Sequence, residues 1–104
     1  MSDLPEFEKR PKHIVNNLAM EALMSNLVAL ESHNDGHFRA IFRKKYFQLA
    51  SPEAEPSKSQ WGTLKKRFKR RDHTIFIFKE HGSCACPNDE AQTCYYLDFG
   101  FLAD

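Results

Sequence analysis

The sequence predicts an α+β domain in which three helices precede a β-hairpin. Three observations carry that expectation. Segments dense in helix formers fill the first half of the chain, a Ser-x-x-Gln pair stands at Ser57 to Gln60, and the apolar period changes from helical to alternating after residue 72. At 104 residues the chain has room for one core. It reads as an acidic N-terminal tail, residues 1–12, and a single domain, residues 13–104.

Pro11 precedes a stretch from His13 to Ser32 that lacks Gly and Pro and predicts a helix of about five turns. "HNDG", His33 to Gly36, closes it, because Asn and Gly tolerate the left-handed conformation that ends helices. Asp35 then caps a second helix through Leu49, with Phe38, Ile41, Phe42 and Leu49 at helical spacing. "SPEAEPS", Ser51 to Ser57, is a loop. Ser57 and Gln60 have the spacing of a capping box and open a third helix to about Arg71. "HTIFIF" and "TCYYLDFGFL" are rich in β-branched and aromatic residues and predict paired strands. Tyr95, Leu97, Phe99 and Phe101 share one face of the second strand, with Asp98 and Gly100 on the other. Between the strands lies a loop from Lys79 to Gln92.

The net charge of +1 hides a strong segregation. Residues 1–35 carry six acids against three Lys/Arg, residues 36–72 eleven Lys/Arg against three acids, and residues 73–104 five acids against one lysine. The local charges are therefore −3, +8 and −4. Screening over about 8 Å at physiological salt makes a partner sense the local value, so the middle segment invites an anion. Its densest part is "KKRFKRR", Lys65 to Arg71, with six cations in seven positions.

Projected as a helix, this segment puts Trp61, Leu64 and Phe68 within about 60° of one another as a buried stripe. Lys58, Lys65 and Lys69 fall on one flank, Arg67 and Arg71 on the other, and Lys66 and Arg70 opposite. Like charges at i,i+4 cost the helix a few tenths of a kcal/mol per pair, which a polyanionic partner would offset. The order of three helices and a hairpin, the last helix basic, resembles a winged helix-turn-helix over roughly residues 13–102. That resemblance implies a third helix in the major groove of duplex DNA and a hairpin against the backbone. Thr63, Lys66, Lys69 and Arg70 would then face DNA, while Lys58, Lys65 and Arg67 grip phosphates. The expected function is a small nucleic-acid-binding regulator or accessory factor in transcription regulation, with duplex DNA favoured over RNA or a single strand. The alternative is an adaptor or inhibitor whose basic face docks an acidic protein. A second cluster, Arg39, Arg43, Lys44 and Lys45, reads as a solvated face opposite Phe38, Ile41 and Phe42, with a second phosphate strip as the other reading.

Met20, Met24 and Leu27 form a second apolar stripe on the first helix, which serves either central burial or a homodimer interface. His81, Cys84, Cys86 and Cys94 lie close enough in sequence to suggest a zinc site, but Cys84-x-Cys86 is tighter than usual zinc spacing and no second pair follows. No metal or other cofactor is expected, and the three thiols read as reduced in a cytoplasmic protein. The five histidines are scattered with no nucleophile at telling spacing, and the four glycines form no phosphate-cradling loop, so no catalytic residues and no enzyme are expected. No apolar run is long enough for a membrane span, and the first twelve residues lack the features of a secretion signal.

Overall fold

The computed structural model describes residues 11–33, 36–72 and 76–101. Two α-helices, α1 (Pro11–Ser25) and α2 (Lys58–Asp72), accompany four strands: β1 (Leu27–Ser32), β2 (His37–Arg43), β3 (Phe76–Cys86) and β4 (Asp89–Phe101). A short 3-10 turn, Lys44–Phe47, follows β2. The strands form one antiparallel sheet in the order β1-β2-β4-β3, so each hairpin contributes one central and one edge strand. The α+β class stands. The three-helix, winged-helix-like arrangement does not, because the described residues before α2 hold one α-helix and a strand pair where two helices were expected.

The predicted second helix is β2 followed by the 3-10 turn. Phe38 and Phe42 are four apart, a spacing that suits both a helix face and one side of a strand. Ala40, between them, points the same way: Ala40 and Phe42 are fully buried and Phe38 packs against the same cluster. Ile41 is buried too, but in a separate cluster on the opposite side of the sheet. Burial on both sides produced the false helical recurrence. The position of Asp35, the expected cap, lies outside the described residues.

The first helix ends seven residues early, at Ser25 rather than Ser32. Asn26 stops it: its backbone N–H donates to the Leu23 carbonyl (3.1 Å) and its side-chain amide to the Ala22 carbonyl (2.8 Å). The Asn26 carbonyl in turn accepts from the Arg43 backbone N–H (2.8 Å), tying the helix end to β2. "LVAL" then enters the sheet as an edge strand, where ladder bonds and side-chain packing outweigh a helix propensity worth only tenths of a kcal/mol per residue. The acidic tail lies outside the described residues except Pro11 and Lys12, which belong to α1. The expected 14-residue loop is also corrected. β3 and β4 extend through it to a two-residue turn at Pro87 and Asn88.

The third predicted helix is α2, bounded as expected. Ser57 and Gln60 complete the capping box: the Ser57 N–H donates to Gln60 Oε1 (3.0 Å) and the Gln60 N–H to Ser57 Oγ (3.2 Å). Gln60 Nε2 also donates to the Phe47 carbonyl (2.7 Å), joining the start of the helix to the 3-10 turn. Trp61, Leu64 and Phe68 are buried with Leu23, Phe42, Phe47, Tyr95, Leu97 and Phe99 in one core between the helices and the sheet. Aromatic rings organise its centre: Phe68 meets Phe42 and Phe99 edge-on at 5.8 and 5.3 Å, and Phe47 lies 5.3 Å from both Trp61 and Tyr95. Alternation along β4 is as the sequence predicts for Tyr95, Leu97 and Phe99; Phe101, at the strand end, is largely exposed.

Candidate nucleic-acid interface

Because Trp61, Leu64 and Phe68 fasten one side of α2 to the sheet, the other side must face solvent. Lys58, Thr63, Lys66, Lys69 and Arg70 are exposed, and Lys65 and Arg67 are half-buried at the flanks. No carboxylate among the described residues pairs with Lys58, Lys65, Lys66 or Lys69. Lys65 lies 6.0 Å above the Phe78 ring, and Arg67 donates to the Tyr46 hydroxyl (3.1 Å). Neither contact neutralises the charge. All seven sequence-predicted residues therefore belong to one helix with one solvated face, although that helix is not the second half of a helix-turn-helix. Thr63, Lys66, Arg67 and Arg70, at helical spacing, line a shallow cavity of about 170 Å³.

The second basic cluster divides. Arg39 is turned to the sheet face away from the helices, where its Nε and Nη2 donate to the two carboxylate oxygens of Asp98 (2.7 and 2.9 Å). Its guanidinium lies 3.8 Å above the Tyr96 ring. Glu31 and Glu80 occupy the same row of the sheet on the outer strands, so Arg39 sits among three acids. Arg43 and Lys44 instead donate to main-chain carbonyls, those of Ser25 and Pro52, with no carboxylate partner among the described residues; Lys45 is exposed. Sequence reasoning missed this separation because a helix at residues 35–49 would have put Arg39 and Arg43 on one surface strip.

The Arg39 pair has a measurable consequence. Its hydrogen bonds hold the Asp98 carboxyl below the ordinary Asp value, with burial opposing in part. A depressed folded-state value means that the pair stabilises the protein above the unfolded Asp value of about 4 and that this contribution is lost as pH falls below it. Asp98→Asn should therefore lower stability at neutral pH and flatten the decline of the urea midpoint below about pH 4. An unchanged decline would show that other groups set it.

The remaining expectations land elsewhere. Met20 is buried, and Met24 and Leu27 pack against the main core, so this stripe meets the protein's own interior. Cys86 and Cys94 form a disulfide, correcting the expectation of reduced thiols; such bonds persist in oxidising surroundings. Cys84 is a free thiol, raised by burial although Arg39 opposes the shift. The His81 ring stacks on Trp61 at 4.2 Å, on the helix side of the sheet and away from the cysteines. Burial, then the charge of Lys65, push it towards the neutral form. No group of three or more His, Cys, Asp or Glu among the described residues could hold a metal ion. No described helix is long and apolar enough to cross a membrane.

Fold and site together define a two-layer α+β domain with a cationic helix laid over one face of an antiparallel sheet. In comparisons with known families, with curated proteins and with solved structures, nothing matches the chain.

Proposed function

We propose that the protein binds nucleic acid, duplex DNA by preference, through phosphate contacts from the exposed face of α2. The observation that carries this reading is the run of solvent-facing cations on a helix whose other side is locked by Trp61, Leu64 and Phe68. A fixed helix presents charge with little ordering cost on binding, and each phosphate neutralised releases counterion from the duplex. The contacts are to backbone phosphates, since lysine-rich faces grip phosphate as point charges and read little sequence.

A salt titration of affinity for a random duplex tests the reading. With roughly four to six phosphates engaged, log affinity should fall against log salt with a slope of about −4 to −5. A flat response would remove the phosphate mechanism. Recovery of the protein with a bound acidic protein and no nucleic acid would transfer the basic face to that class of partner.

A further inference from the structure

A cavity of about 720 Å³ lies at the end of the sheet beside the 3-10 turn. Arg43, Lys44 and Lys45 supply its charge, Gln48 and Gln92 its amides, and Val28, with Leu49, Pro52 and Cys86, its apolar surface. Gln48 also lines a second cavity of about 220 Å³ with Tyr46, Thr63 and Arg67. Thr63 and Arg67 in turn line the shallow cavity on α2 with Lys66 and Arg70. Three concavities thus meet end to end, running from the basic face of α2, past Tyr46, around the end of the sheet to the second basic cluster. Two cationic segments about twenty residues apart in sequence become one track.

From this continuity we infer that the track holds a single strand leading away from a duplex, so that the preferred ligand is a duplex with a single-stranded extension. The inference rests on the duplex-binding reading of α2 and adds the fate of the strand beyond it. Beyond the α2 face, where the duplex lies, one strand suits a channel with cations along it and an aromatic ring beside it. Tyr46, half-buried at the middle cavity, is that ring. Amides and apolar surface in the large cavity suit base edges and base faces, and the acids near the hairpin tip, Asp89 and Glu90, are not among its lining residues. Gln48 marks the junction in a second way. It closes the 3-10 turn in the left-handed conformation (φ 50°), the ordinary way a helical turn ends, and so sets where the chain bends between the two cavities.

The test compares a blunt duplex with the same duplex carrying an oligothymidine extension at either end, at physiological salt, using the full chain. The wild type should bind one extended form about tenfold more tightly than the blunt form. Lys45→Glu with Gln92→Glu reverses one charge and adds a negative charge at a second exposed position in the large cavity, and should reduce that ratio to about twofold or less, with the blunt affinity largely kept. Equal affinity for blunt and extended forms, or an equal loss on both in the variant, overturns the track while leaving the α2 reading in place. Failure to bind either form overturns both. Circular dichroism of the variant, matching wild type, ties the change in ratio to the cavity.

Discussion

Replacing Lys66 and Arg70 together with alanine should weaken duplex binding roughly tenfold to thirtyfold at physiological salt and make the salt slope shallower by about 1.8. Both figures follow from two phosphate contacts at about 0.9 counterion each. The two residues are exposed and one helical turn apart on the face opposite Trp61, Leu64 and Phe68. Alanine is the strongest helix former, and the substitution removes a repulsive i,i+4 pair. Folding stability should therefore stay the same or rise by a few tenths of a kcal/mol. The opposed directions make the prediction specific. Weaker binding with a lower urea midpoint would point to damage, whereas weaker binding with an unchanged or higher midpoint assigns the loss to the surface. Retained affinity and slope would take the nucleic acid away from this face.

Phe42→Ala should have the largest effect on stability, about 3–5 kcal/mol, as expected for a large aromatic removed from a packed core. Phe42 is fully buried on central strand β2 and meets Phe68 of α2 edge-on at 5.8 Å and Tyr46 at 6.4 Å. Its loss leaves a hole where the basic helix is seated. Domains of this size are stable by about 5–15 kcal/mol, so urea denaturation should show a midpoint lowered by roughly 1–3 M, or no folded baseline. Leu30→Ala is the contrast: Leu30 is 57% exposed on edge strand β1 and should change stability by no more than about 0.5 kcal/mol. If both variants shift equally, Phe42 is not the centre of the core that the fold assigns to it.

The elements legible in the sequence are those specified by contacts within a few residues. The capping box at Ser57 and Gln60, the Trp61/Leu64/Phe68 stripe and the cations around it are set by helix geometry alone, and α2 agrees with them. Period-two alternation from Tyr95 to Phe99 is likewise a property of one strand. The segments misread as helix, Leu27–Ser32 and His37–Arg43, are strands because they pair: β1 with β2, and β2 with β4 nearly sixty residues further on. Their Leu and Ala residues favour helix by only tenths of a kcal/mol each, and long-range ladder bonds outweigh that preference. The β2–β4 pairing joins Arg39 to Asp98, the β3–β4 hairpin brings Cys86 to Cys94, and the end of β2 with the 3-10 turn sets Arg43, Lys44 and Lys45 around a cavity. By itself, then, the sequence determined that a rigid, highly charged helix faces solvent. Only the tertiary structure decided what lies beneath that helix and where its surface leads, because those answers depend on residues brought together across the sheet.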